Sequence, residues 1–207
     1  MSCQLDPQTI QATIAFHGHS CPGLAIGMRA AEIALQEMAG AGPADLVCVS
    51  ETDMCGVDAI QFLTGCTYGK GNLLHRDYGK MAFSFHNRAT GRAIRLLFNP
   101  EAWGEGREEF TALMAKSGRP DCTLTDRERL ATLRAELQER LLRLPAEDVF
   151  FIRDCAEPLP RPARVLDSLV CADCGESTME SRTRRFGGRI LCIPCFARVE
   201  QKVCACV

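Results

Sequence analysis

The sequence predicts a chain of two parts, a larger domain of mixed helices and strands and a small metal-bound domain after it. Helical and extended apolar patterns alternate along most of the chain. Three prolines then fall within five residues, from Pro158 to Pro162, which is typical of a semi-rigid linker. Two C-x2-C pairs lie beyond the prolines. We therefore expect domains at 1–157 and 165–207, with the linker at 158–164.

Five helices are expected in the larger domain. The first follows Asp6-Pro7, an N-cap with proline at the first helical position. The last follows a capping-box pattern, Thr125-x-x-Glu128, and repeats leucine at helical spacing up to Pro145. The predicted ranges are 6–15, 24–39, 57–63, 105–116 and 125–144.

Four strands are expected between and after these helices, at 46–49, 80–86, 93–98 and 149–152. The second and third are joined by a turn at Thr90-Gly91. The last is an apolar run, so we expect it to be buried. Residues 64–72 hold three glycines and are predicted to form a loop.

Composition limits the function. The chain has 207 residues, with 24 basic against 26 acidic, so no overall field would attract nucleic acid. The N-terminal segment does not resemble a signal peptide, and no run of 18 apolar residues occurs. We expect a cytoplasmic protein with reduced thiols. Its thirteen cysteines then indicate metal binding, redox chemistry or catalysis.

The C-terminal cysteines have the spacing of a zinc site. Seventeen residues separate the two pairs, and a hairpin turn at Gly187-Gly188 and a helix after Pro194 complete a treble-clef pattern. Four protein ligands leave no open position, so the zinc would be structural. Rubredoxin-type iron and four unrelated thiols are the alternatives. The proposed ligands are Cys171, Cys174, Cys192 and Cys195.

Charge argues against nucleic-acid binding by this finger. The net charge of the finger is close to zero once four thiolates and one zinc ion are counted with its basic and acidic side chains. Cys204 and Cys206 form a separate pair, either a frayed tail, a metal ligand or a labile disulfide.

A second constellation, His17-Gly18-His19-Ser20-Cys21, lies near the N-terminus. Two imidazoles and a thiol in a glycine-containing loop can converge on one metal. Cys21 precedes Pro22, the expected start of a helix, so the helix dipole would lower the pKa of the thiol. Cys21 is therefore also a candidate catalytic nucleophile. The alternative is a simple helix-capping loop.

Two further cysteines, Cys55 and Cys66, lie in glycine-rich turns and are candidate ligands of the same core site, although simple packing would also explain them. Asp58 is a candidate acceptor that orients an imidazole. Lys70 is a candidate contact for an anionic group.

These motifs together resemble the E-subunit family of formylmethanofuran dehydrogenase. The resemblance rests on segments 16–23, 55–61, 64–73 and 77–80, in that order, and on the C-terminal finger. It implies an α+β core with a mixed, loosely thioredoxin-like sheet of about five strands flanked by helices, followed by a treble-clef zinc finger. It also implies an accessory, methanogenesis-related component of a molybdenum or tungsten enzyme that interconverts CO2 and formylmethanofuran.

Three functions follow as hypotheses. The first is a metal-binding accessory protein of such an oxidoreductase or another metal-enzyme client, with one structural zinc and a second transition metal, expected to be zinc, at His17, His19, Cys21, Cys55 and Cys66. The second is a stand-alone enzyme that uses an open metal site or the Cys21 thiolate. The third is a zinc-finger binding or regulatory protein. We also expect a homodimer.

Overall fold

The computed structural model describes residues 2–42 and 44–200. The chain divides into two compact units, 1–162 and 163–207. Each unit forms its own core, and each is described by itself below.

The described residues of the first unit form six helices. Asp6 caps the first, since its carboxylate accepts from the Thr9 backbone N–H at 2.9 Å. A 3₁₀ segment, Pro100–Gly106, precedes the fourth helix. The helices are α1 (Pro7–His17), α2 (Pro22–Glu37), α3 (Gly56–Thr64), α4 (Arg107–Ser117), α5 (Leu124–Arg143) and α6 (Ala146–Val149).

Five strands form one mixed sheet in this unit, in the order β2-β1-β3-β4-β5. Strands β1 and β2 run parallel, and the other neighbouring pairs, β1–β3, β3–β4 and β4–β5, are antiparallel. The strands are β1 (Leu46–Ser50), β2 (Leu73–His75), β3 (Ala82–Asn87), β4 (Ala93–Phe98) and β5 (Phe150–Asp154). The predicted mixed five-stranded sheet with flanking helices is confirmed.

Helix α2 is the centre of the core. Its residues from Leu24 to Ala34 are all buried, and small alanines let it pack closely against the sheet and the neighbouring helices α3 and α5. The leucines of α5 at positions 130, 133, 137 and 141 are also buried, as their helical spacing predicts. The turn between α1 and α2 is therefore held in place by the buried helix α2.

Three details differ from the sequence prediction. The capping box of α5 is formed by Thr123 and Asp126, which exchange hydrogen bonds of 2.8 and 3.1 Å, so the predicted start at Thr125 was wrong. Strand β2 was not predicted because three residues give too short a pattern. Strand β5 is an edge strand, and Phe151 and Ile152 are largely exposed rather than buried.

The part of the second unit that the structure describes contains two small hairpins and a helix. Strand β6 (Ser168–Val170) pairs with β7 (Ser177–Met179), and β8 (Thr183–Phe186) pairs with β9 (Arg189–Cys192) before α7 (Ile193–Val199). The predicted order of knuckle, hairpin and helix is present. Cys204 and Cys206 lie outside the described residues. Within the described ranges, no helix has both the length and the apolar character needed to cross a bilayer.

Candidate functional site

Three of the predicted ligands lie at the junction of α1 and α2. Helix α1 ends at Gly18, which adopts a left-handed conformation (φ 89°) that turns the chain sharply. Helix α2 then begins with Cys21 as its N-cap, and the Cys21 Sγ accepts from the Leu24 N–H at 3.4 Å. His17, His19 and Cys21 are thus presented by one short turn between two fixed helices.

A close helix crossing brings the fourth ligand, Cys55, to this turn. Cys55 precedes the first residue of α3. The next residue, Gly56, lies against Gly27 of α2 so tightly that a Cβ on Gly27 would lie 2.1 Å from the Gly56 carbonyl oxygen. At Gly23, a Cβ would lie 3.4 Å from the Cys55 Cβ. The sequence prediction missed Gly23 and Gly27, although two glycines four residues apart on one helix are a signal of close helix packing.

The core group, defined here as His17, His19, Cys21 and Cys55, brings four ligand atoms within 4.8 Å of one another. The Nε2 of His17 lies 3.9 Å from the Cys21 Sγ. The Nδ1 of the same ring lies 2.7 Å from an Asp58 carboxylate oxygen. Asp58 therefore holds the His17 ring with Nε2 turned toward the sulfurs.

These distances fit a transition metal. With metal–sulfur bonds of about 2.3 Å and metal–nitrogen bonds of about 2.0 Å, tetrahedral ligand atoms lie roughly 3.3–3.8 Å apart. The mixed nitrogen and sulfur donors suit zinc, and a carboxylate behind a ligating imidazole is the usual arrangement around it. Because His19 is the exposed member of the group, its side of the site faces solvent.

The thiol of Cys21 is not activated in the way the sequence predicts. Burial raises its pKa, and although the Leu24 N–H lowers it, the neighbouring Cys55 sulfur raises it further. The predicted fall in pKa was wrong because desolvation outweighs the helix terminus. In the absence of a cation, burial therefore favours the neutral thiol of Cys21 over its thiolate.

Two other predicted residues lie elsewhere. Cys66 is fully buried in the hydrophobic core, where its Sγ donates to the Leu46 carbonyl at 3.4 Å. Burial raises its pKa as well. The exposed ammonium of Lys70 lies close to Gly65, beside Cys66. The structure thus does not bring Cys66 or Lys70 to the core group, since the α3–β2 loop leads away from it.

A cavity of about 300 Å³ opens beside the core group. His19, Cys21 and Cys55 form part of its wall. The remainder is largely apolar and comes from α2, α4, α5, the 3₁₀ segment and the loops that carry Met54 and Met81. Trp103 and Phe110 stack with their ring centres 6.0 Å apart. A ligand-sized space therefore adjoins the candidate metal site.

In the second unit, the finger group (Cys171, Cys174, Cys192 and Cys195) also brings its sulfurs within 4.8 Å of one another. The N–H groups of Cys192 and Cys174 lower the pKa of Cys171 to about 6, which favours its thiolate. Arg198 bridges Asp173 at 2.7 Å and the Cys195 Sγ at 3.0 Å, and it offsets the charge of the sulfurs. This geometry fits a tetrahedral zinc ion with four cysteine ligands.

Comparisons with known proteins agree with this division. Residues 16–151 match the family "FmdE, Molybdenum formylmethanofuran dehydrogenase operon", and residues 166–201 match the prokaryotic dksA/traR C4-type zinc finger. A crystal structure of a tungsten formylmethanofuran dehydrogenase FmdE-like protein from Syntrophus aciditrophicus is 25% identical, with a TM-score of 0.65 over 94% of this chain and 96% of that one.

A curated relative from Archaeoglobus fulgidus carries the name "Probable S-adenosyl-L-methionine-binding protein". It is 30% identical over 183 residues, which cover 82% of this chain. The chain spans about half the length of this relative (48%).

The mixed sheet and the four-cysteine finger define a metal-binding protein of two units. The chain belongs to the FmdE family and ends in a C4-type zinc finger. The resemblance to the E-subunit family of formylmethanofuran dehydrogenase and the C-terminal zinc finger are thereby confirmed.

Proposed function

We propose that this protein is a metal-binding accessory protein whose core group holds one transition metal, zinc, in addition to the finger zinc. The observation that carries this proposal is the convergence of four nitrogen and sulfur donors with Asp58 fixed behind His17 at 2.7 Å. Burial raises the pKa of the Cys21 thiol and so disfavours its charged form in the absence of a cation. Binding of a metal to Cys21 would therefore release the thiol proton.

The partner we propose is a molybdenum or tungsten oxidoreductase of the formylmethanofuran dehydrogenase type. Support comes from the family match to a dehydrogenase operon and from the similarity to the Syntrophus FmdE-like protein. In this proposal the redox chemistry belongs to the other proteins of the complex. This chain would contribute a structural finger and a metal-containing surface near the α1–α2 turn.

Metal analysis of anaerobically purified protein tests the core site. We expect two metal ions per chain in the wild type and one in His19→Ala and Cys21→Ala, with circular dichroism unchanged. Cys155→Ala is the matched control, because Cys155 is a half-buried cysteine outside both groups and should leave two metals. A wild-type protein with one metal, or a Cys21→Ala variant that keeps two, would refute the core assignment.

Affinity purification tests the partner. Tagged wild-type protein, expressed in a cell that makes a molybdenum or tungsten formylmethanofuran dehydrogenase, should retain the dehydrogenase polypeptides. Absence of those polypeptides from the purified material would contradict the accessory role while leaving the metal site intact.

A stand-alone metalloenzyme is the second candidate, and the cavity beside the core group favours it. Because His19 is exposed, its departure would leave three protein ligands and an open position, the arrangement of catalytic zinc sites. A cobalt(II)-substituted protein should then change its visible spectrum on titration with cyanide. An unchanged spectrum would indicate a closed, structural site.

A further inference from the structure

The cavity beside the core group has the size and lining of a site for a small organic molecule. Its volume of about 300 Å³ lies at the lower end of the range for ligand pockets. Three methionines, Met54, Met81 and Met114, contribute flexible thioether side chains to its wall, and Trp103 and Phe110 contribute a stacked aromatic pair. An apolar or aromatic body therefore fits most of this wall.

One charged side chain interrupts the apolar wall. Arg134, on α5, lines the cavity and is partly buried. Its Nη2 donates to the Met114 Sδ at 3.2 Å, and among the described residues it forms no ion pair. A thioether sulfur is a weak acceptor, so it leaves most of the hydrogen-bonding capacity of the guanidinium unused.

A planar guanidinium in an apolar setting selects a planar anion. It presents paired donors that match a carboxylate, and charge-assisted bonds of this kind are stronger than those between neutral groups. From this geometry we infer that the cavity binds a small monocarboxylic acid, with the carboxylate on Arg134 and an apolar body against Trp103 and Phe110. The inference deepens the proposed function and rests on it, since such an acid would lie beside the ligands of the core metal.

Binding can be observed directly because Trp103 is the single tryptophan of the chain and lines the cavity. We propose titrating the protein with 3-phenylpropanoate and hexanoate while recording tryptophan fluorescence, with 3-phenylpropanamide as the uncharged analogue. A saturable change with Kd below about 1 mM is expected for an acid, and tighter binding of 3-phenylpropanoate would indicate an aromatic body. The amide should bind roughly 10–100-fold more weakly than its acid.

Two substitutions separate the roles of charge and shape. Arg134→Gln should weaken 3-phenylpropanoate about 10–100-fold and leave the amide unchanged, whereas Phe110→Ala should weaken both. The exposed Arg119, which pairs with Asp121 outside the cavity, provides the control, and Arg119→Gln should bind as the wild type does. Equal binding of acid and amide, an unaffected Arg134→Gln, or inorganic phosphate binding as tightly as the acids would overturn the proposal.

The test remains distinct from that of the metal site. Metal content of Arg134→Gln should equal that of the wild type, because Arg134 is not a ligand. A protein that holds two metals per chain but binds none of the three probes refutes this inference alone. A protein that binds the acids but lacks the second metal refutes the core assignment alone.

Discussion

Replacing Gly27 by alanine should destabilise the protein and detach Cys55 from the core group. Helix propensity by itself predicts the opposite, since alanine in a helix interior is favoured over glycine by about 1 kcal/mol. The packing around Gly27 decides whether the substitution stabilises or destabilises the protein. The new Cβ would lie 2.1 Å from the Gly56 oxygen and 2.4 Å from the Gly56 Cα, and all of these neighbours are backbone atoms that cannot rotate away.

The size of the effect follows from these distances. Ordinary contact begins at 3.4 Å, so α2 and α3 must separate locally by more than about 1 Å. Metal–ligand distances tolerate only about 0.2 Å, and Cys55 is the residue bonded to Gly56. Overpacking costs about 1–3 kcal/mol and helix propensity returns about 1, so we expect a net loss of up to about 2 kcal/mol.

Two measurements check this prediction. Urea unfolding should show a lower midpoint for Gly27→Ala, and metal analysis after dialysis against a mild chelator should show one metal per chain where the wild type keeps two. Gly118→Ala is the control, because Gly118 has a negative φ and open space around its Cβ position. A Gly27→Ala protein that is as stable as the wild type and keeps both metals would refute the reasoning.

Three further predictions concern single side chains. Asp58→Ala should reduce core-metal affinity roughly 10–100-fold in a chelator competition, because the His17 ring loses the acceptor of its Nδ1 proton. Cys66→Ala should keep both metals by elemental analysis yet lower the free energy of unfolding by about 1–2 kcal/mol, since a buried sulfur is lost. The Arg95 guanidinium holds the pKa of the Glu51 carboxyl below its ordinary 4.5, so this pair should stabilise the fold fully above pH 4.5 and lose its contribution as pH falls through the lowered value. Urea midpoints should therefore fall more between pH 6 and pH 3.5 in the wild type than in Glu51→Gln.

Each of these has an outcome that contradicts it. Undiminished affinity in Asp58→Ala would mean that the His17 ring is oriented by its helix alone. Loss of the core metal from Cys66→Ala would restore Cys66 as a ligand. An equal fall of the urea midpoint in Glu51→Gln and the wild type would show that the buried pair does not contribute to the loss of stability at low pH. Any loss of metal at low pH affects both proteins and so cancels in this comparison.

Local chemistry made several features predictable. Asp6-Pro7 specified a helix start because an N-cap and a fixed φ act within one turn. Leucines at positions 130, 133, 137 and 141 specified the buried face of α5, since helical geometry alone places them on one side. The finger group followed from its spacing, because two residue pairs joined by a hairpin bring their thiols together with no help from the rest of the chain.

The core site was predictable only in part. His17, His19 and Cys21 are close in the sequence, so one turn places them together. Cys55 and Cys66 lie in similar glycine-rich turns, so the local sequence predicts both as ligands of the core site. Packing separates them, because the Gly27–Gly56 contact carries Cys55 to α2 while the following loop carries Cys66 into the hydrophobic core.

The sequence by itself determined most of the elements, the finger and the three-residue start of the core group, since each depends on interactions within a few positions along the chain. Only the tertiary structure decided that Cys55 joins them, that the Cys21 pKa rises, and that Arg134 faces an apolar cavity. The physical reason is that burial and contact between distant segments are properties of packing. Neither the desolvation of a thiol nor the approach of two backbones is encoded by neighbouring residues alone.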